Sequence, residues 1–161
     1  MTMTDVYLIR FFNWLWKWIG PKDRQNYNPF YFVLTGVRGD PYMFRYYLLR
    51  IPWLNFKVQV HHIVRSDEDD WLHDHPWNFV SFVLWEGYTE ETEAGVRRIR
   101  AGQVVRHRAG DAHRLTLRRP AWTLCLVTGK KKKWGFYLPA GWTESKQFFD
   151  AKYGRGQYIA H

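Results

Sequence analysis

His73 and His75 are separated by a single residue. In extended backbone, side chains at i and i+2 leave on the same side. Both imidazoles can therefore converge on one ion, and imidazole suits Zn, Fe, Ni or Cu. A bare pair of this kind is weak evidence by itself, because histidines also sit hydrogen-bonded in cores and loops. What surrounds the pair decides its weight.

The surrounding chain reads as short strands. Phe56, Val58, Val60, His62 and Val64 alternate with Lys57, Gln59, His61 and Ile63, the period of two that marks a strand. An acidic, turn-like stretch follows from Ser66 to Asp70. Strands are then expected over 79–86, 88–93, 96–100, 103–107, 113–117, 121–127 and 134–138. Turn residues separate them, among them Gly87, Ala94-Gly95, Ala101-Gly102 and Ala109-Gly110-Asp111. Seven or eight short strands with tight turns predict an antiparallel sandwich or barrel. A closing helix is expected over 143–153, with a tail beyond it.

Before the strands the chain reads differently. Thr4 or Asp5 can cap a helix running to about Ile19 and ended by Gly20-Pro21. Leu8, Phe11, Phe12, Leu15, Trp16 and Ile19 fall near helical spacing. This helix could pack on the barrel or on a second subunit, or lie in a membrane interface. Residues 20–55 are broken by Pro21, Pro29, Pro41 and Pro52, and 42–49 fits either a short helix or a strand. The expectation is one domain: a helical and irregular extension over 1–55, a barrel over 56–138, and a helix and tail over 139–161.

With these elements placed, the chain resembles the cupins. Their first motif is HxH, three or four residues, Glu, six residues and Gly. Here His73 and His75 are followed by 76–79, Val80 in the Glu place, 81–86 and Gly87. The second motif opens on Gly102, has Arg108 in the Pro place, then Gly110, His113, and Leu117 in the Asn place. The match covers roughly 56–138, about half the chain. A weaker likeness is to small uncharacterised cupin-like proteins of phages and bacteria. The resemblance implies a double-stranded β-helix of jelly-roll type. It also implies a divalent metal ion (Fe, Zn, Ni or Mn) held inside the barrel mouth by His73, His75 and His113. Val80 cannot bind a metal, so the expected site has three histidines and open positions, the ligand count of a catalytic rather than a structural site. In ligand set alone this is similar to the thiol dioxygenases. The HxH pattern disfavours the 2-oxoglutarate oxygenases, which need HxD or HxE.

If Val80 points inward, alternation turns Phe82, Leu84 and Glu86 inward too, and Leu115 and Leu117 follow from His113. The expected pocket is then largely apolar. Glu86 is its candidate acid–base group, although an exposed charge before a turn is the plainer reading. One of His61 and His62 must face the interior, as a fourth ligand, a proton shuttle or a structural histidine. His107 is a lesser candidate. Asp74 should point away from the metal and could orient a ligand histidine. Tyr88 and Trp77 are candidates for shaping the mouth. Arg106 and Arg114 are candidates for holding an anionic ligand.

Composition bounds the rest. The chain has 161 residues, 46% of them hydrophobic, with ten Trp and a formal charge of +9. That is globular and argues against disorder. The single cysteine, Cys125, cannot form an internal disulfide and sits in an apolar run. The apolar N-terminal stretch is interrupted by Arg10, Asn13 and Lys17, too short and charged to span a bilayer, so a cytoplasmic protein is expected. The charge is scattered, and only Lys130–Lys133 is dense. That run fits a solvated hairpin loop better than a nucleic-acid contact. A homodimer is plausible for such a barrel. Three functions compete: a metal enzyme acting on a small molecule by dioxygenase-like oxidation or Lewis-acid chemistry, a non-catalytic small-ligand or protein-binding module, and nucleic-acid binding.

Overall fold

The computed structural model describes residues 31–35 and 40–154, together with Tyr7 and Arg10, both helical. The remainder of the expected helix from Asp5 to Ile19 lies outside the described residues. By its internal contacts the chain divides into Met1–Phe30 and Tyr31–His161. The second unit carries the strands and all that follows concerns it.

Eleven strands make three sheets among the described residues. The strands β1 (Tyr31–Thr35), β2 (Pro41–Ile51), β3 (Phe56–Ile63), β4 (Phe79–Trp85), β7 (Val104–His107) and β9 (Ala121–Val127) form one sheet in the order β1-β2-β3-β9-β4-β7. A second sheet has the order β6-β5-β8, from β5 (Gly87–Thr92), β6 (Gly95–Arg100) and β8 (His113–Thr116). The pair β10 (Gly135–Leu138) and β11 (Gly141–Glu144) leads into helix α1 (Ser145–Tyr153). All the pairings are antiparallel. The expected strands therefore form, and the ambiguous 42–49 resolves as strand β2. Its β-branched and aromatic partners across β3 suit a pleated surface better than a helix.

β9 explains the centre of the large sheet. It pairs with β3 on one side and β4 on the other. Its nearly unbroken apolar run (AWTLCLV) is what a strand covered on both faces requires. The core lies between the sheets. Met43, Ile63, Val83, Val105 and Ala121 from the large sheet meet Tyr88, Ile99 and Leu115 from the three-stranded one. A smaller cluster seats α1 on β10, with the rings of Phe136 and Phe148 stacked at 4.0 Å between centroids.

Gly87 turns the chain from the large sheet into the small one. Its φ is +139°, and a Cβ there would stand 2.2 Å from the carbonyl oxygen of Ile99. No other residue fits that close approach. The glycine that ends the first histidine motif is thus fixed by the corner of the barrel. Gly102 and Gly110 of the second motif also take positive φ, +86° and +98°.

The expected phase of β4 is corrected. Ser81 and Val83 are buried, whereas Phe82 and Leu84 are exposed and Val80 is half-buried. Alternation held, but shifted by one residue, which carries every side chain to the opposite face.

Candidate metal centre

Backbone pairing brings the two histidine motifs together. His73 and His113 form an isolated antiparallel bridge, each N–H donating to the other's carbonyl oxygen at 2.9 Å. His73 also bridges to Phe136 of β10. Asp74, between the two histidines, is fully buried. It points away from them, as expected, yet orients neither. Its carboxylate instead accepts hydrogen bonds from the Gly135 N–H (2.8 Å) and Trp142 Nε1 (3.1 Å), and pairs with Lys132. Asp74 therefore ties the HxH loop to β10 and β11. Lys133 pairs with Glu144 at 2.8 Å. Two of the four clustered lysines are thus engaged within the fold.

One nitrogen from each of His73, His75 and His113 lies within 4.8 Å of the others. The His75 and His113 Nε2 atoms are 2.9 Å apart. The three ring centroids are mutually separated by 5.2, 5.2 and 5.0 Å. Such a cluster can hold a metal ion. Two nitrogens each about 2.0–2.1 Å from one ion, at a right angle, stand about 2.9 Å apart.

The third histidine is oriented by a carboxylate. Glu90 on β5 has no exposed surface. Its Oε1 accepts from His113 Nδ1 and from His107 Nε2, both at 2.8 Å. Its Oε2 accepts from Arg97 Nε at 2.7 Å. Burial alone would raise the Glu90 pKa, but the bonds from His107, His113 and Arg97 outweigh it and hold the carboxyl well below the usual range. The proton of His113 must then sit on Nδ1, leaving Nε2 with a lone pair towards His75. Fixing the tautomer of a ligand histidine through its far nitrogen is a recurring feature of metal centres. Glu90, His107 and His113 also lie within 4.8 Å of one another. Glu90 Oε1 is shared by His107 Nε2 and His113 Nδ1, so this trio adjoins the first cluster through His113.

Above the histidines is a cavity of about 60 Å³, room for a few water molecules. Its lining includes Arg45, His61, Trp77, Ser81, Tyr88, Thr123 and Cys125 beside the histidines, yet most of its surface is apolar, as expected, although Phe82, Leu84 and Leu117 do not contribute. Phe79 also faces in, with its ring edge-on to His75 at 5.3 Å and stacked on His107 at 4.8 Å. Counting three residues after His75 rather than four puts Phe79 in the place where the motif has Glu. An aromatic ring therefore fills that position, and Val80 is not at the site.

The other expected residues divide. His61 lines the cavity, its Nε2 accepting from Arg45 Nε at 3.2 Å. His62 lies on the opposite face of β3, stacked on Trp122 at 4.1 Å, and is a core histidine. Glu86 sits at the β4–β5 corner with φ +57° and accepts from Arg119 Nη1 at 3.1 Å. It is outside the cavity, because β4 ends in a bulge between Val83 and Trp85 that resets the alternation. Arg114 is engaged by Asp70 and Glu91, and Arg106 is exposed, so neither is placed to hold a ligand. Trp77 and Tyr88 do line the cavity. Glu90, Phe79 and Arg45 are additional residues of the site. For Glu90 a signal existed: it stands two residues after Tyr88 on a strand whose alternate positions are Thr89 and Glu91.

His61, His75 and His113 are all held below the ordinary imidazole range. Burial is the first cause in each; for His75 the neighbouring His113 and His73 add to it, and for His61 Arg45 does. The unfolded chain takes up protons near pH 6.5, while the folded chain does so only at lower pH. Stability is then complete above pH 6.5 and is lost as pH falls towards the depressed values. Each histidine contributes a slope of up to about 1.4 kcal/mol per pH unit. The urea midpoint of metal-free protein should fall steadily between pH 7 and pH 5; a flat midpoint would contradict the burial of these rings.

No family model matches the chain, and neither does any curated protein. Among solved structures, it is similar to a cupin-2 domain protein from Rhodospirillum rubrum, with a TM-score of 0.54 and 14% identity over 75% of this chain and 84% of that one. A cupin 2 conserved barrel domain protein from Rhodopseudomonas palustris gives 0.52 and 13%, over 62% and 69%. The DMSP lyase DddQ from Ruegeria pomeroyi gives 0.51 and 21%, over 68% and 58%. The antiparallel sheets, the corner glycines and these likenesses agree: this chain has the double-stranded β-helix fold of the cupins.

Proposed function

We propose that the protein is a mononuclear metal-binding cupin, with His73, His75 and His113 as ligands, that acts on a small molecule in the barrel mouth. The observation that carries this reading is the convergence of three imidazole nitrogens within 4.8 Å of one another, with the third held in the metal-binding tautomer by Glu90. Three neutral donors leave the double charge of a divalent ion uncompensated, so the ion would act as a Lewis acid or, if redox-active, take part in an oxidation. The chain's own residues set the surroundings. Glu90 keeps the proton on His113 Nδ1. Phe79 closes one side of the cluster to water. Tyr88, whose phenol burial pushes well above its usual value, stays protonated and can donate a hydrogen bond but not remove a proton.

A second reading is ligand capture without turnover. It is favoured by the cavity lining, which contains no Asp or Glu to move protons. Oxygen-uptake and hydrolysis screens on metal-loaded protein, together with mass analysis of any co-purified ligand, separate the two.

The metal claim has a direct test. Elemental analysis of purified protein should find stoichiometric divalent metal in the wild type and a loss of at least tenfold in His75→Ala. Wild-type protein that holds no stoichiometric metal under any loading condition ends the proposal.

A further inference from the structure

The cavity has an unbalanced charge. Three arginines are half-buried among the described residues: Arg45, Arg65 and Arg114. Arg65 pairs with Asp40 and Glu68, and Arg114 with Asp70 and Glu91. Arg45 has no carboxylate partner among the described residues, and it alone of the three lines the cavity. Removing a guanidinium from water without an opposite charge is costly. Nothing in the cavity lining offsets it, since no Asp or Glu is there. Glu90, the carboxylate under the histidines, is already committed to His107, His113 and Arg97.

The position of Arg45 is fixed. It lies on β2 opposite His61 of β3. Its Nε–H donates to His61 Nε2 at 3.2 Å, and its guanidinium carbon stands 5.9 Å from the centre of the Trp77 ring. Arg45 lines the same cavity as His73, His75 and His113. Its guanidinium also bonds the Tyr47 side chain, and its remaining N–H groups can donate to a carboxylate. The aromatic wall of Trp77 suits a planar group.

We propose that Arg45 anchors the ligand of this cavity and that the ligand is a small organic carboxylate, held between Arg45 and the three-histidine centre. This rests on the metal reading above. An acid-free cavity with one guanidinium that lacks a carboxylate partner among the described residues selects an anion, and a volume of about 60 Å³ suits a compact one.

The test uses the full chain loaded with Co²⁺, whose visible absorption reports ligands arriving near the ion. Acetate, glycolate and propionate are titrated, with glycolamide as the uncharged mimic and inorganic phosphate as the competing anion. At least one carboxylate should perturb the spectrum and bind about 10-fold or more tightly than glycolamide. Arg45→Gln should weaken that carboxylate by about 10- to 100-fold, the range for a charged hydrogen-bonded pair, while leaving glycolamide binding and Co²⁺ stoichiometry unchanged. Arg45→Lys should fall between. Equal binding of acid and amide, unchanged affinity in Arg45→Gln, tighter binding of phosphate than of every carboxylate, or no response to any carboxylate in stoichiometrically loaded protein would each overturn the proposal. Failure of Co²⁺ to bind at all is a different result: it removes the metal centre itself, and the anchor with it.

Discussion

Glu90→Ala should cost the protein both its metal affinity and several kcal/mol of stability. The wild-type carboxylate accepts hydrogen bonds from His107 Nε2, His113 Nδ1 and Arg97 at 2.6–2.8 Å and has no exposed surface. Alanine leaves two buried ring N–H groups without an acceptor and a guanidinium without its counter-charge. Each buried donor left without an acceptor costs about 1–3 kcal/mol, while Arg97, half exposed, can turn to water. Loss of the group that orients a ligand histidine lowers metal affinity by about 10- to 100-fold. Glu90→Gln should divide these effects. Its amide oxygen can still accept one proton, so more stability survives, but the negative charge that polarises His113 is gone. Competition with a chromophoric chelator gives the affinity and urea unfolding gives the stability. If Glu90→Ala binds metal as tightly as wild type, the carboxylate is merely structural.

Asp74→Ala is the second large effect, through a different route. Asp74 is no member of the histidine cluster, yet its backbone and side chain meet several groups of the 132–142 segment, the Tyr137 hydroxyl at 3.5 Å among them. Its N–H donates to the Gly135 carbonyl at 3.0 Å, and its carboxylate takes Gly135 N–H, Trp142 Nε1 and Lys132. Truncation strands the Gly135 N–H and the Trp142 Nε1–H, at about 1–3 kcal/mol each, and frees Lys132, whose partly exposed side chain can turn to water. His73 and His75 flank Asp74, so the variant should also bind metal more weakly even where it is folded. Asp74→Asn keeps an acceptor for Gly135 and should recover about half of the stability. Equal unfolding midpoints for Asp74→Ala and wild type would show that β10 is held by its aromatic contacts alone.

Much of this site could be read from residue order, and the part that could not has a specific cause. The HxH pair and His113 are legible because their positions relative to Gly87, Gly102 and Gly110 are set by local backbone geometry, and glycine at positive φ is visible in a sequence. The period of each strand is legible for the same reason. The phase of β4 is not. Whether Val80 or Ser81 faces inward depends on how β4 registers against β7 and β9 and on the bulge near Trp85, and those are long-range pairings. One wrong step there hid Phe79 and moved Glu86 into a cavity it does not line. Arg45 was hidden differently. It lies in a proline-flanked segment that fits helix or strand locally, and only pairing with β1 and β3 decides. His61 and His62 show the limit in miniature: alternation says that one faces in, and the partner strand says which.

The bridge between His73 and His113 has a bearing on how the chain acquires its site. His75 and His113 stand 38 positions apart, and β4 to β7 lie between them. Bringing such distant segments together is slow, because the loop entropy is lost before any contact rewards it. The histidine cluster thus forms only once the strands between the motifs are in place. A newly synthesised chain has no partial site until the strands between the motifs have docked, so metal uptake during folding would report completion of the barrel rather than guide it.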